Sequence, residues 1–222
     1  MHEYEESAIM TKIAQSLKRS LGLESKPIKF SAEDLMTVQS ACAFDIALYN
    51  QKHTWCSLMS KEFIRSLEYL DDLQQFYWIG GGYKINYEMA ATLLREIFDI
   101  MRGREAQNNT LAGIFYFAHA ETTLPLMTLM GYGDRSFLAA NATQADIASR
   151  GFRTSVLSPF AANIETRLFR RKTNRGELYV QILVNEKEAK IPGCDRLFCK
   201  LSQLEKQWRY YLTSYDFHRD CE

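Results

Sequence analysis

The sequence predicts an α/β fold in which a mainly helical cap subdomain leads into part of a sheet flanked by helices. In the first half, apolar residues recur at helical spacing in four segments. In the second half, the run 111–118 is short and almost continuously apolar, which is typical of a strand buried on both faces of a parallel sheet. Two further strand-like segments, 163–170 and 178–186, flank a polar turn. We therefore expect the helical cap subdomain over residues 1–106 and the α/β part over residues 107–222.

Four helices are expected in the first half, and most have a recognisable start or end. An apolar repeat that begins at Ile9 stops at Gly22. Ser31 opens a sequence that resembles a capping box. Ser60 can cap the next helix, which ends at the glycines 80–82. The expected helices span roughly residues 9–21, 31–50, 60–79 and 86–102.

The second half is expected to contain a strand–helix unit, a hairpin and a closing helix. Residues 122–130 follow the apolar run and indicate a helix, with Pro125 near its first turn and Gly131 just past its end. The polar connection 171–177 joins the two strand-like segments into an antiparallel hairpin. Residues 201–212 have the apolar spacing of a last helix.

His119 and Glu121 lie at the junction between the predicted strand and the predicted helix. In open α/β sheets, ligands bind beyond the carboxyl ends of the strands. A helix N-terminus at that place offers unpaired N–H groups and a partial positive charge to an anion. We therefore expect a phosphate site here, beside a carboxyl group that can donate a proton. The alternatives are a buried core histidine at 119 and an ordinary first-turn carboxylate at 121.

The composition and the cysteine spacing argue against several classes of protein. The hydrophobic fraction of 46% and the charged fraction of 24% are ordinary for a globular domain, and the net charge of zero gives no support to a nucleic-acid-binding surface. Since no run of about 18 apolar residues is present, no transmembrane helix is expected. Residues 1–6 are acidic and lack the apolar core of a signal peptide. The five cysteines form no Cys-x-x-Cys pair, so we expect no zinc site.

Two other features are expected to have no chemical role. Arg150 and Arg153 belong to a basic-leaning stretch that continues through the predicted hairpin, and a solvated hairpin face is the simplest interpretation. The glycines 80–82 match no dinucleotide-binding or P-loop pattern and are expected to form a loop.

The stretch from Phe117 to Leu126 contains His-Ala-Glu followed by Thr-Thr-Leu-Pro-Leu. This stretch resembles the distal motif of the histidine acid phosphatases. Its His-Ala-Glu form, in place of the commoner His-Asp, is similar to that of the multiple inositol polyphosphate phosphatases. Further segments fall in the order of that family and extend the resemblance from about Leu35 to Cys199. They are Cys42, Trp55-Cys56, Glu68-Tyr69-Leu70-Asp71-Asp72-Leu73, Gly82-Tyr83-Lys84-Ile85-Asn86-Tyr87, Ser158-Pro159-Phe160-Ala161-Ala162-Asn163 and Val184-Asn185-Glu186.

The resemblance implies a two-step phosphatase reaction that needs neither a metal nor a cofactor. A histidine attacks phosphorus, and water then releases phosphate. Glu121 would protonate the leaving oxygen, and His119 would donate hydrogen bonds to the phosphate oxygens. Lys84 would bind the negative charges of the substrate, and a solvated loop lysine is the simpler alternative. The implied substrates are small phosphomonoesters: phytate, lower inositol phosphates and 2,3-bisphosphoglycerate.

The chain departs from the family at the proximal motif, Arg-His-Gly-x-Arg-x-Pro, which carries the nucleophilic histidine. The nearest string, 149–153, has no histidine. The chain therefore resembles the C-terminal half of such an enzyme, and we expect it to be inactive alone. One rival interpretation is a non-catalytic pseudo-phosphatase or truncated product that binds phosphorylated ligands or a partner. Another is a different histidine acid phosphatase, such as a general acid phosphatase or a fungal-type phytase, against which the His-Ala-Glu form argues.

The cysteines allow two interpretations. From the residues alone, all five could be free thiols in a cytosolic protein. The resemblance implies an enzyme of the secretory pathway and favours two local disulfides, Cys42–Cys56 and Cys194–Cys199. Cys221 would then be left over.

Overall fold

Helices make up most of the structure, and a small antiparallel sheet lies in the second half of the chain. The computed structural model describes residues 2–106, 110–133, 136–172 and 176–220. The chain forms two compact units, each from two stretches: Met1–Gln74 with Leu138–Arg153, and Gln75–Phe137 with Thr154–Glu222. We call them unit 1 and unit 2. The α/β class is confirmed, and the division into domains between residues 106 and 107 stays a prediction.

Unit 1 is helical. Its elements are α1 (His2–Glu5), α2 (Ala8–Ser20), α3 (Ala32–Tyr49), a 3-10 helix (Trp55–Leu58), most of α4 (Lys61–Trp78) and α8 (Gln144–Ser149). The helices predicted over 9–21, 31–50 and 60–79 correspond to α2, α3 and α4. Its buried apolar side chains include Tyr4, Met10, Ile13, Leu17, Leu35, Phe63, Leu67, Tyr69, Leu70, Leu73, Ile147 and Phe152. Among the helices of the described ranges, none has the length and apolarity needed to cross a membrane.

Helix α3 begins and ends as its sequence predicts. The Ser31 hydroxyl accepts from the Asp34 backbone N–H at 3.2 Å, and the Asp34 carboxylate accepts from the Ser31 backbone N–H at 2.8 Å. Hydrogen bonds from the backbone and side chain of Ser31 lower the pKa of Asp34. Asn50 ends the helix in the left-handed conformation, with φ 52°. The Cys42–Cys56 disulfide ties α3 to the 3-10 helix, which confirms the first predicted pairing.

A buried ion-pair cluster joins α4 to the chain after α8 within unit 1. Arg150 contacts the Asp72 carboxylate at 2.6 Å through Nε and Nη2, and its Nη2 lies 3.0 Å from Glu68 Oε2. The guanidinium carbon lies 5.6 Å from the centroid of the Tyr69 ring. Arg153 adds contacts of 2.8 and 3.0 Å to Glu68. Asp72 is completely buried, so its charge depends on these partners.

The expectation of a solvated hairpin face is therefore wrong for Arg150 and Arg153. Both arginines lie in unit 1, whereas the hairpin lies in unit 2. Their carboxylate partners stand 78 and 85 residues earlier in the chain. At that separation no local sequence pattern reveals the pairing.

Unit 2 contains the sheet and the remaining described helices. The helices are α5 (Lys84–Glu88), α6 (Ala91–Glu105), α7 (Ala120–Met130), α9 (Thr154–Leu157), α10 (Leu201–Gln207), α11 (Arg209–Thr213) and α12 (Phe217–Asp220). The strands are β1 (Ile164–Arg170), β2 (Leu178–Val184), β3 (Lys187–Ala189) and β4 (Cys199–Lys200). Strand β2 is central and pairs antiparallel with the other three. The predicted β1–β2 hairpin is confirmed, and residues 173–175 of its connection lie outside the described residues.

The core of unit 2 gathers side chains from α6, α7, β2 and α10. Its buried members include Ala91, Leu94, Phe98, Leu126, Leu129, Val180, Ile182, Ile191, Leu204 and Trp208. The Phe98 and Trp208 rings pack edge to face, with 5.8 Å between centroids. The Cys194–Cys199 disulfide is buried in the same core, which confirms the second predicted pairing. Cys221 lies outside the described residues.

The apolar run 111–118 forms no strand, so the prediction of a buried parallel strand is wrong for this chain. The Phe115 and Phe117 side chains are 85% and 96% exposed. None of the described strands pairs with the run, and a strand needs a neighbour to satisfy its backbone N–H and C=O groups. The Tyr116 hydroxyl donates to Glu96 Oε1 at 2.7 Å, which fixes the run to α6. A segment with strand-like sequence is thus left open to solvent.

Two of the predicted helices are interrupted. The helix predicted over 86–102 is divided into α5 and α6, with Met89 and Ala90 between them. The helix predicted over 201–212 is divided into α10 and α11 at Trp208. In both places the apolar spacing continues across the break, so periodicity alone could not show it.

The first prediction concerns the ion-pair cluster. Asp72→Asn and Arg150→Met each break the buried ion pair between these two residues, so each should lower the free energy of unfolding by about 3–5 kcal/mol. Arg153→Met removes a more exposed arginine and should cost about 0–1 kcal/mol. Urea denaturation followed by circular dichroism compares the three variants. Equal, small losses for all three would show that the cluster contributes little to stability.

The second prediction concerns alkaline pH. The Tyr4 hydroxyl is buried and donates to the Ser66 carbonyl at 3.2 Å, and burial raises its pKa to about 12. Because this pKa lies above the ordinary tyrosine value of 10.0, the contribution to stability is complete below pH 10 and is lost as the pH rises towards 12. Tyr4→Phe should cost about 1 kcal/mol at pH 8, through the lost hydrogen bond.

Between pH 10 and pH 12 the unsubstituted protein should lose on the order of 2 kcal/mol more of its free energy of unfolding than Tyr4→Phe loses. The difference in stability between the two proteins should therefore disappear or change sign. The measurement is urea denaturation at a series of pH values, with the exposed Tyr49→Phe as the matched control. Parallel stability curves for the unsubstituted protein and Tyr4→Phe would contradict the assignment.

Candidate active site

Helix α7 is anchored at its C-terminal end and open at its N-terminal end. Every residue from Leu124 to Met130 is buried, as expected for a helical segment that is almost entirely apolar. Gly131 ends the helix in the left-handed conformation, with φ 92°, and the Tyr132 N–H donates to the Met127 carbonyl at 2.8 Å. Residues 119–121 are exposed. Groups at this end can therefore meet a ligand while the body of the helix stays fixed.

His119 and Glu121 both lie at this open end. His119 immediately precedes the helix, with an extended backbone, and its carbonyl accepts from the N–H groups of Thr122 and Thr123 at 3.0 and 3.3 Å. Glu121 is the second residue of the helix. Within the described parts of the chain, neither side chain forms a hydrogen bond with another residue. The alternative of a buried core histidine is wrong, because His119 is exposed.

The helix begins two residues earlier than predicted, which changes the place of Pro125. The chain turns into the helix at Ala120, and Pro125 is then the sixth helical residue and lies beyond the first turn. Because proline has no N–H, the carbonyl of Glu121 lacks the amide that would normally bond to it four residues later. The first turn is consequently less tied to the rest of the helix than in an ordinary helix.

The N-terminus of α7 combines three features that suit a phosphate ester. Its first-turn N–H groups and the partial positive charge of the helix end attract an anion. The His119 imidazole can donate a hydrogen bond to a phosphate oxygen. The Glu121 carboxyl group can give or take a proton. Among the described residues, no group of three His, Cys, Asp or Glu side chains could hold a metal ion.

Lys84 is the first residue of α5, which packs against α7. Its side chain is 78% exposed, and its ammonium group lies 3.5 Å from Glu88 Oε1. The Tyr211 hydroxyl donates to the same carboxylate oxygen at 3.2 Å. A cation at the start of a helix opposes the helix dipole, and an exposed ion pair adds little stability. Lys84 therefore contributes little to holding α5 in place.

Aromatic rings surround the start of α5. The ring of Tyr77 lies 5.9 Å from that of Tyr83 and 5.7 Å from that of Phe137, measured between centroids. The three consecutive glycines form a loop between α4 and α5, as predicted. A Cβ atom at Gly82 would lie only 2.8 Å from the Phe76 carbonyl oxygen, so the backbone can approach this closely only with glycine.

Three polar contacts at or near α7 have no local signal in the sequence. Thr123 Oγ1 lies 2.9 Å from Ser158 Oγ. The Asn185 side-chain amide donates to the Val156 carbonyl at 3.0 Å, and its side-chain oxygen accepts from the Asn163 N–H at 3.1 Å. These partners come from different parts of the chain. The segments that contain Ser158 and Asn185 were indicated only by their resemblance to the family.

Comparison with known families gives a match over residues 1–185 to the Histidine phosphatase superfamily (branch 2). The chain belongs to this superfamily. The match includes α7 with His119 and Glu121, and it also includes Ser158 and Asn185.

Curated relatives in this family carry the name multiple inositol polyphosphate phosphatase 1. The chicken (Gallus gallus) protein is 30% identical over 230 residues, which cover 100% of this chain and 51% of the relative. The human (Homo sapiens) protein is 31% identical over 216 residues, which cover 93% of this chain and 44% of the relative. The chain therefore spans about half the length of these curated relatives.

A solved structure shows the same fold. It is the Bifidobacterium longum multiple inositol polyphosphate phosphatase in complex with inositol hexasulfate, which superposes with a TM-score of 0.70 at 17% sequence identity. The match covers 96% of this chain and 54% of that chain. It confirms the predicted histidine phosphatase type of fold.

Proposed function

We propose that the protein provides the proton-donor half of a phosphatase of the multiple inositol polyphosphate phosphatase type, which hydrolyses inositol polyphosphates such as phytate and also 2,3-bisphosphoglycerate. The observation that carries the proposal is the exposed pair His119 and Glu121 at the N-terminus of a buried helix. The family match and the names of the relatives support the reaction class. The inositol hexasulfate bound by the solved relative supports a polyanionic ring as the substrate class.

Glu121 acts as the general acid in this proposal. A histidine supplied by a segment outside these 222 residues attacks phosphorus, and the bond between phosphorus and the ester oxygen breaks. The proton of the Glu121 carboxyl group passes to the departing alkoxide, which is otherwise a poor leaving group. The resulting carboxylate then accepts a proton from the water that attacks the phosphohistidine and releases phosphate. The exposed position of Glu121 leaves it open to both the ester oxygen and the water.

His119 stabilises the charge on the phosphate. Its ring has no hydrogen-bond partner among the described residues, so an N–H can be directed at a phosphate oxygen. Lys84 binds a second phosphate of the substrate. Its helix packs against α7, its side chain is mostly exposed, and its ion pair with Glu88 is weak. A strongly charged ligand can replace that ion pair.

A second candidate function is non-catalytic binding of phosphorylated ligands or of a protein partner. The sequence favours it in one respect, because it contains no Arg-His-Gly-x-Arg-x-Pro segment. In this case His119 and Glu121 bind phosphate without turnover. Activity of the completed enzyme distinguishes this function from catalysis.

We also propose that the protein passes through the secretory pathway. The two disulfides support this location, because such bonds persist in oxidising compartments. Peptide mapping under non-reducing conditions, on protein from a secretory host, tests the proposal. Free thiols at Cys42, Cys56, Cys194 and Cys199 would contradict it.

The third prediction concerns Glu121 in an enzyme completed with a segment that carries the proximal motif. Glu121→Gln removes the proton donor and should lower kcat on phytate by about 10²–10⁴-fold. The loss should be much smaller on p-nitrophenyl phosphate, whose leaving group needs little protonation. His119→Ala should impair both substrates, because it acts on the phosphate that they share.

Glu33→Gln is the matched control, since Glu33 is also an exposed glutamate in the first turn of a helix, α3. It should leave both activities unchanged. Equal losses for Glu121→Gln on the two substrates, with the fold intact, would show that Glu121 is not the acid for the leaving group.

The fourth prediction concerns the 222-residue chain alone. It should hydrolyse phytate negligibly and should self-associate through the exposed run 111–118. Phe115→Ser combined with Phe117→Ser should reduce the association measured by sedimentation velocity. Phe160→Ser, which changes another fully exposed phenylalanine of unit 2, should not. Phosphate release from phytate by the purified chain at ordinary enzymatic rates, above about 1 s⁻¹, would contradict the need for a second segment.

A further inference from the structure

The first turn of α7 is tied to a loop for which neither the family match nor the proposed reaction supplies a role. Thr123 lies two residues after Glu121 and four after His119, and its Oγ1 is 2.9 Å from Ser158 Oγ. We propose that Ser158 is a positioning residue that acts through Thr123 to fix the first turn of α7, and with it the orientation of His119 and Glu121. The consequence for catalysis rests on the proposed function, whereas the mechanical coupling does not.

The hydroxyl groups have one arrangement that satisfies both of them. Thr123 Oγ1 donates to the Ala120 carbonyl at 3.4 Å, in the same first turn. Its hydrogen is then engaged, so the Ser158 hydroxyl is the donor in the contact between the two side chains. The chain of bonds runs from Ser158 to Thr123 to the backbone of Ala120, the residue between His119 and Glu121. A shift of Ser158 is thereby transmitted to the backbone that presents both groups.

The loop that carries Ser158 is itself held at both ends by Asn185. The Asn185 side-chain amide donates to the Val156 carbonyl at 3.0 Å, and its side-chain oxygen accepts from the Asn163 N–H at 3.1 Å. The Asn185 N–H donates in turn to the Asn163 carbonyl at 2.9 Å. Asn185 adopts φ 51°, in the left-handed region that asparagine tolerates. Asn185, which makes these hydrogen bonds, directly follows β2, a buried strand of the core.

The loop also contains a backbone conformation that only a restraining environment maintains. Ala161 has φ 59°, which is uncommon for a residue other than glycine, asparagine or aspartate. The Ala162 N–H donates to the Pro159 carbonyl at 2.9 Å and closes a tight turn directly after Ser158. A loop held in this way can serve as a rigid support for the first turn of α7.

A support is needed here because the first turn lacks two ordinary restraints. Pro125 removes the amide that would bond to the Glu121 carbonyl, and the His119 side chain does not cap the helix. Positioning matters for the proposed chemistry, since a misplacement of about 1 Å can cost roughly 10²-fold in rate. The Ser158–Thr123 contact compensates for both missing restraints.

The test measures amide hydrogen exchange in the 222-residue chain by NMR. Ser158→Ala and Thr123→Val should each speed exchange at the Thr122 and Thr123 amides by about two- to tenfold, the factor expected for one hydrogen bond. The amides of Met127–Met130 should not change, because those residues are anchored in the core. Thr123→Ser keeps the hydroxyl, so its exchange at the Thr122 and residue-123 amides should stay as slow as in the unsubstituted protein. Thr213→Val, an exposed hydroxyl-to-methyl change in α11, is the matched control.

Two outcomes overturn the proposal: unchanged exchange at Thr122 and Thr123 in both Ser158→Ala and Thr123→Val, or an equal change throughout α7 in Ser158→Ala. The first shows no coupling, and the second shows a general loss of stability. Failure of Thr123→Ser to restore slow exchange also counts against it, because the hydroxyl would then not be the coupling group.

A second measurement separates this proposal from the proposed function. In the enzyme completed with a segment that carries the proximal motif, the His119 ring signals are followed while inositol hexasulfate is added. The concentration needed for half of the shift should rise at least threefold in Ser158→Ala and Thr123→Val, as the loss of about one hydrogen bond predicts, and should return to the original value in Thr123→Ser. If inositol hexasulfate leaves the His119 signals of the unsubstituted protein unchanged, the proposed function fails, and the exchange data still decide whether Ser158 positions α7.

Discussion

Burial of one end of α7 is the constraint on which the candidate active site depends. The residues from Leu124 to Met130 are all buried, Leu126, Leu129 and Met130 belong to the core of unit 2, and the left-handed Gly131 ends the helix. This burial fixes the body of the helix, the Ser158–Thr123 contact holds the N-terminal turn, and the His119 and Glu121 side chains remain in solvent. A reactive pair can be held in this way without being buried, so His119 and Glu121 avoid the cost of removing charge from water.

The same anchoring explains why other elements of unit 2 matter for a site that they do not form. The disulfide Cys194–Cys199 and the central strand β2 lie in the core that holds α7. From the end of β2, Asn185 braces the loop of Ser158, and that loop contacts the first turn. Unit 1 depends on a different constraint. There the charge of Arg150 satisfies the buried Asp72 and so ties the chain after α8 to α4.

Local patterns in the sequence were sufficient to predict features that depend only on residues close together in the chain. The capping box at Ser31, the stop at Gly131 and the hairpin of β1 and β2 are each encoded within a few residues, and all three are present. The pair His119 and Glu121 was placed near the start of the helix for the same reason, although the helix begins two residues earlier than its local sequence predicted. The disulfide pairings required more than spacing, and the family resemblance supplied the difference.

Features that depend on distant partners could not be predicted from the sequence. Asp72 and Arg150 are separated by 78 residues, and Thr123 and Ser158 by 35, so neither contact has a periodic signal. The run 111–118 has the composition of a buried strand, but composition cannot supply the neighbouring strand that would bury it. Its exposure here fits a protein whose curated relatives are about twice as long.

In the proposed function, the N-terminus of α7 contacts the reacting phosphate. A crystal structure of this chain joined to a segment with the Arg-His-Gly-x-Arg-x-Pro motif, in complex with inositol hexasulfate, tests it most directly. We expect one sulfate group within hydrogen-bonding distance of the His119 ring, about 3 Å, with the Glu121 carboxyl group beside the oxygen that links this sulfate to the inositol ring. Sulfate groups bound elsewhere, with His119 and Glu121 both facing open solvent, would contradict it.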